Sequence, residues 1–175
     1  DRNNHPLPMS HLSFLCIATF HKGQDFLRAC KELGNTVYLL TDQKLAHADW
    51  PRESIDDIFY LPSPSNAPED LEKMLTGLAH VMRSRQIDRV VALDDFDVEK
   101  GALIRETFRL DGMGQTTARY FRDKLAMRMR ATAAGIRVPA FSPIFHDETV
   151  THFLQTTESP WLIKPRAEAS TTGIR

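Results

Sequence analysis

The sequence predicts an α/β fold: a small doubly wound parallel sheet over residues 11–112, followed by an incomplete α+β subdomain over residues 113–175. Three observations predict it. Short apolar runs of strand length alternate with longer stretches whose apolar residues recur every three or four positions, the pattern of β-α-β units with parallel strands. Glycine and proline stand at the seams between these stretches. The tetrad Asp111-Gly112-Met113-Gly114 then ends the alternation and marks a domain boundary.

The first strand is the almost continuous apolar run His11–Ala18, as expected of a strand buried on both faces. A turn over Thr19–Gly23 leads into a helix with Phe26, Leu27, Cys30 and Leu33 at helical spacing and Gly34 at the place of a C-terminal glycine cap. Val37–Leu40 is the second strand and Ile58–Leu61 the third. After the breaker-rich stretch 62–68, Pro68, Glu69 and Asp70 suit the first turn of a helix whose buried stripe is Leu71, Met74, Leu75, Leu78 and Met82. Arg89–Leu93 is the fourth strand, ending in Asp94-Asp95, and a helix follows from Val98 to Leu110.

Beyond the boundary lies a long helical stretch with Ala118, Phe121, Leu125, Met129 and Ala133 three or four apart. Asp123 is placed to restart that helix as a cap, and Gly135 to end it. Pro139–Phe145 reads as extended, Asp147–Thr157 as a short helix carrying Val150, Phe153 and Leu154, and Trp161–Lys164 as a closing strand. Two short strands with helices do not close a core alone, so exposed apolar surface and self-association, for instance as a homodimer, are expected of this part. No internal repeat and no low-complexity tract occurs.

Composition narrows the class. At 175 residues, 42% hydrophobic and 26% charged, the chain has the makeup of a globular protein with a real core. A formal charge of −1 provides no overall field for nucleic acid or an anionic membrane, and no apolar run approaches membrane-spanning length. Arg119, Arg122, Lys124, Arg128 and Arg130 nonetheless crowd one segment. Cys16 and Cys30 lie in apolar patterns without C-x-x-C spacing and read as buried free thiols of a reducing, cytoplasmic compartment. The polar start carries no signal-peptide pattern, and both ends read as boundaries inside a longer chain.

Chemistry is concentrated in few places. The first βα turn has a single glycine and no G-x-G-x-x-G, which argues against a dinucleotide site. His21 and Lys22 stand there as candidates for a substrate anion, against the simpler reading of a solvated loop. Asp94, Asp95 and Glu99 lie at the carboxyl end of the fourth strand, where open α/β sheets bind ligands, yet helix capping by Asp95 or Asp97 accounts for them more simply. The seven histidines show no metal spacing. Asp56-Asp57 and Glu69-Asp70 read as surface charge. Two lysines complete the inventory. Lys124 opens a helix after Asp123, and Lys164 ends the apolar run Trp161–Lys164 just before Ser170-Thr171-Thr172-Gly173. An ammonium aimed from a strand, then hydroxyl and backbone donors on a bendable loop, is a way to bind polyphosphate.

With these residues the chain resembles the ATP-grasp superfamily of carboxylate-amine ligases. Arg122–Arg128 is similar to that family's D-K-x-x-M/R segment, Ala134–Phe141 to its A-G-I-x-V-P passage, Pro160–Arg166 to its P-x-V-I-K-P-R strand, and Ser170–Ile174 to its phosphate-covering loop. Lys164 follows Lys124 by 40 residues, which also suits the family. Residues 11–112 resemble the small Rossmann-like domain that precedes the grasp (the pre-ATP-grasp domain), and 113–175 the start of the ATP-grasp domain. The resemblance implies that Lys124, Lys164, Ser170, Thr171, Thr172 and Gly173 contact the phosphates of ATP, with Arg166 as a further phosphate or carboxylate contact. It implies an enzyme that phosphorylates a carboxylate to an acyl phosphate for attack by an amine or thiol, using Mg²⁺. The partners it implies are small molecules, with no nucleic acid and no membrane.

Two departures stand out. Ala167-Glu168-Ala169 makes the loop poor in glycine and puts a negative charge where phosphates are expected. The family's adenine hinge and metal ligands come later than residue 175, so no metal ligand and no catalytic residue is assigned, and residues 1–175 alone are expected to be inactive. The alternative reading is a non-catalytic α/β module that binds a ligand or partner. A receiver-like signalling domain fails because its acidic pair belongs after the first strand.

Overall fold

The computed structural model describes residues 11–167, and within them four short strands pair in parallel in the order β3-β2-β1-β4. They are β1 (Ser13–Ala18), β2 (Thr36–Asp42), β3 (Asp57–Leu61) and β4 (Arg89–Ala92). The register runs from Ser13↔Thr36 to Ala18↔Thr41 between β1 and β2, and from Phe14↔Arg89 to Ile17↔Ala92 between β1 and β4. Central β1 is covered on both sides, which explains its unbroken apolar sequence. Leu15 and Ile17 join one core with Leu40, Leu61, Met74, Leu78, Val90 and Ile104. Cys16 and Ala18, one position out of phase, join the opposite core with Leu27, Cys30, Val37, Leu39 and Trp50. Each fully buried aliphatic side chain contributes about 1.5–3 kcal/mol. Both cysteines are free and buried.

Helices α1 (Gln24–Glu32), α2 (Pro68–Val81) and α3 (Val98–Phe108) connect the strands or follow them. Gly34, at φ 81, ends α1 in the left-handed conformation, and the Asn35 N–H then donates to the Cys30 carbonyl at 3.3 Å, satisfying a terminal acceptor. α2 opens on Pro68 as expected, and its Asp70 accepts hydrogen bonds from the Ser63 and Ser65 hydroxyls at 2.7 and 2.5 Å. α3 stops two residues short of the expected Leu110. Arg109 turns left-handed, at φ 55, and the Leu110 N–H donates back to the Arg105 carbonyl.

The acidic pairs read as surface charge are partly structural. Asp56 accepts the Val37 N–H at 2.8 Å and binds the Lys31 ammonium at 2.7 Å, while Asp57 pairs with Arg85 at 2.5 Å. These carboxylates join strand ends to neighbouring elements. Asp88 does the same by accepting the Ser13 N–H at 2.7 Å.

Contacts divide the chain into one unit ending at Gly114 and a second starting at Gln115. The second unit contains α4 (Gln115–Arg122), α5 (Lys124–Ala133) and α6 (Asp147–Thr156). The long helical stretch breaks at Asp123, whose extended backbone and capping carboxylate start α5 afresh. Gly135, at φ 73, follows the helix end. Trp161–Lys164 is not a strand: it has no regular secondary structure and is exposed, with Leu162 at 65% and Ile163 at 57%. A strand is held by a hydrogen-bonded neighbour, and the second unit has no described strand to pair with it. The stripe read across α4 and α5 is also only partly inward. Ala118 is buried, while Phe121 and Met129 are exposed.

Candidate functional site

The candidate phosphate site is built at the start of α5, within the second unit. Asp123 accepts the N–H groups of Leu125 and Ala126 through its Oδ1, at 3.0 and 3.2 Å. That cap fixes where the helix begins, and so fixes Lys124 as its first residue. The Lys124 N–H donates to the Arg166 carbonyl at 2.9 Å. The same Asp123 carboxylate holds the Arg166 guanidinium in a two-pronged pair: Nε lies 3.0 Å from Oδ1, and an Nη atom contacts Oδ2. A further strut runs from Arg122 to the Ala167 carbonyl at 2.6 Å. The segment that carries Lys164 is thereby fastened to the segment that carries Lys124, without a β-ladder.

Electrostatics follow the geometry. The Arg166 guanidinium holds the Asp123 carboxyl below the usual carboxylate range, with the Leu125 and Ala126 N–H groups adding to that and partial burial opposing it. Asp123 in turn raises the Arg166 guanidinium. Arg166 also lies over the Phe145 ring, at 5.7 Å from its centroid. Lys124 is half-buried and Lys164 exposed. Ser170, Thr171, Thr172 and Gly173 lie outside the described residues, as does Glu168.

The fit to a nucleotide's phosphates is specific about which groups can serve. A helix start normally offers free N–H groups to an anion. Here Lys124 donates to Arg166, Leu125 and Ala126 to the Asp123 side chain, and Met127 to the Asp123 carbonyl at 2.8 Å. The first turn of α5 is therefore already satisfied, which leaves the ammonium groups of Lys124 and Lys164 as the candidates for anion contact. For Mg²⁺, no three His, Cys, Asp or Glu side chains converge among the described residues. None of them is assigned as a metal ligand.

The carboxyl edge of the sheet in the first unit is organised differently from the sequence expectation. Asp94, not Asp95 or Asp97, caps the turn that follows β4, accepting the Phe96 N–H at 3.1 Å. Asp94 also pairs with the Lys22 ammonium at 2.6 Å. Asp97 makes no side-chain cap for α3, because its buried carboxylate points back to Thr19. His21 packs edge-on against Trp50 and contacts the Asp49 carbonyl at 3.1 Å, and Phe20 packs against Phe96 at 4.9 Å. The turn is solvated as expected, with Phe20, His21 and Lys22 exposed, yet each of the three has a partner in the first unit. A groove of about 230 Å³ beside β4 is lined by Val90, Val91, Ala92, Val98, Arg105 and Met113. Arg105 spends its donors there on the Val90 and Met113 carbonyls, both at 2.8 Å, so the groove offers little chemistry.

The sequence names both lysines as candidates and gives the Asp123 cap that the structure shows, but not the Asp123–Arg166 pair. The available signal was an acidic residue directly before one lysine and an arginine two positions after the other.

No family model and no curated protein matches the chain. Solved structures do. An L-amino acid ligase from Bacillus licheniformis aligns over 91% of this chain at TM-score 0.69 and 20% identity. A phosphoribosylglycinamide synthetase from Anaerococcus prevotii aligns over 94% at 0.63 and 16%. An N5-carboxyaminoimidazole synthetase from Staphylococcus aureus, complexed with ADP, aligns over 93% at 0.66 and 13%. The chain spans only 38%, 38% and 40% of these proteins' lengths. No helix among the described residues is long and apolar enough to cross a membrane. With its four-stranded parallel sheet, the capped lysine helix and these neighbours, the chain has the fold of the N-terminal portion of ATP-grasp ligases.

Proposed function

We propose that this chain is the N-terminal part of an ATP-dependent ligase, with residues 11–112 as the domain preceding the grasp and 113–175 as the start of the grasp itself. In the reaction a carboxylate oxygen attacks the γ-phosphorus of ATP and ADP leaves. The resulting acyl phosphate is then attacked by an amine, or by a thiol, and releases phosphate. Carbon–nitrogen bond formation is the favoured outcome. Lys124 and Lys164 neutralise phosphate charge, and the hydroxyls and N–H groups of Ser170–Gly173 close over the phosphates. Phosphoryl transfer depends on such positioning and charge neutralisation more than on covalent help from the protein. Mg²⁺ would add charge neutralisation at the phosphates, and no described residue is assigned to hold it.

The observation that supports this reading most is the fastening of the two lysine segments through Lys124 N–H···O Arg166. In this reading residues 1–175 alone are inactive, because the resemblance puts the adenine and metal sites in later parts of the grasp. The buried thiols suit the cytoplasm. The exposed Phe121, Ile144 and Phe145 suit burial in a larger assembly, such as a homodimer or a complete grasp domain.

The test is Mg·ATP binding by calorimetry on the full-length protein that carries this chain, with Lys124→Ala and Lys164→Ala beside the parent. Each lost charged contact costs about 1.5–3 kcal/mol, roughly ten- to a hundred-fold or somewhat more in Kd. A parent that ignores ATP, or two substitutions without effect, leaves the non-catalytic binding module in its place.

A further inference from the structure

We propose that Asp123 and Arg166 form a positioning pair that sets the nucleotide affinity of Lys164 without either of them touching the nucleotide. This rests on the phosphate-clamp reading above. Lys164 lies on an exposed, unpaired segment, so nothing in a β-ladder fixes where its ammonium points. What fixes the segment among the described residues is two positions further on. The Arg166 carbonyl takes the Lys124 N–H, its guanidinium grips the Asp123 carboxylate at both oxygens, and its plane lies over Phe145.

Asp123 is suited to this because one carboxylate performs two tasks at once. Oδ1 caps α5, which orients Lys124, and both oxygens bind Arg166, which anchors Lys164. The two phosphate-facing lysines are thereby referred to a single rigid group. A planar guanidinium matches a carboxylate with two parallel hydrogen bonds, a geometry that an ammonium cannot reproduce. With its fork engaged this way, Arg166 serves as an internal brace for the clamp. Effects of this kind are transmitted as loss of orientation, which lowers affinity at the group being positioned.

The distinguishing measurement is a double-mutant cycle on Mg·ATP Kd in the full-length protein, using Arg166→Ala, Lys164→Ala and the pair together. The expected result is a Kd roughly three- to thirty-fold weaker for Arg166→Ala. The double variant is expected to be no weaker than Lys164→Ala alone, because the anchor has nothing left to position. Losses that multiply would mean that Arg166 contacts the nucleotide itself, and would overturn the proposal, as would an Arg166→Ala Kd equal to the parent's. The Lys164→Ala arm keeps the two readings apart: if it has no effect, the phosphate clamp fails first. Asp123→Asn and Arg166→Lys guard against trivial unfolding. Asparagine retains the cap but not the charge, and lysine retains the charge but not the fork. Both should keep the parent's circular dichroism and melting temperature while weakening Kd, and a parent-like Kd in both counts against the pair.

Discussion

The hydroxyl and the backbone N–H of Thr19 both donate to the carboxylate of Asp97, at 2.7 and 2.8 Å. Thr19 follows the last residue of β1, and Asp97 precedes the first residue of α3. One fully buried carboxylate therefore joins the central strand to the helix that covers it. The buried Lys100 ammonium lies 3.8 Å from the same group. Replacing Asp97 by alanine leaves the two Thr19 donors without this acceptor inside the protein and removes a counter-charge near Lys100. The expected cost is about 3 kcal/mol or more. Asp97→Asn retains one acceptor oxygen and should cost less. Urea titration followed by circular dichroism measures both, and a midpoint for Asp97→Ala equal to the parent's would show that the contact carries no stability.

The contrast between what was legible and what was not has a physical basis. β1 was legible because burial on both faces imposes an apolar run, a property of adjacent residues. The Asp123 cap was legible because a cap acts on N–H groups two and three residues away. The same local logic offers Asp95 or Asp97 as the cap before α3, yet the partner of Asp97 stands 78 residues earlier in the chain. The Lys31–Asp56 pair spans 25 residues and the Asp123–Arg166 pair 43. Local spacing carries no signal for such pairs. Trp161–Lys164 failed in the opposite direction: its apolar composition is that of a strand, but strand formation belongs to a pair of segments. The two lysines were legible as candidates, whereas the means of holding Lys164 was not.

Two glycines should respond to alanine with opposite signs. Gly23 enters α1 at φ 87, and a Cβ added there would meet the Leu93 side chain at 2.5 Å. Gly23→Ala combines a left-handed penalty with a forced shift of Leu93, together about 2–4 kcal/mol of destabilisation. Gly77 lies inside α2, exposed, and a methyl group added there would meet nothing within 4 Å. Gly77→Ala should stabilise by about 0.5–1 kcal/mol through helix propensity alone. Thermal melts of the two variants settle the point. Equal and small shifts would mean that the first βα turn relaxes more easily than its geometry implies.

The first unit should be most stable at mildly acidic pH, because its buried and paired carboxylates pull in opposite directions. Hydrogen bonds from Gln86 and the Ser13 N–H lower Asp88, against partial burial. Burial pushes Asp56 up, but the Lys31 ammonium and the Val37 N–H outweigh it and leave it lowered. Burial raises Asp97 despite the two donors on Thr19. For the lowered pair the native state binds fewer protons than the unfolded chain. Their contribution is therefore present above the ordinary carboxylate value of about 3.9 and is lost as pH falls through the folded values. For Asp97 the native state binds more protons, so its contribution is greatest below that ordinary value and is lost as pH rises through its folded value. Urea midpoints from about pH 3 to 7 report this through Trp50, which is buried in the first unit, in a Trp161→Phe background. Asp88→Asn should flatten the decline on the acid side, and Asp97→Asn should remove the fall on the other. A parent curve that rises steadily from about pH 4 to 7 would mean that Asp97 is ionised in the fold at no cost, with its Thr19 and Lys100 contacts fully offsetting its burial.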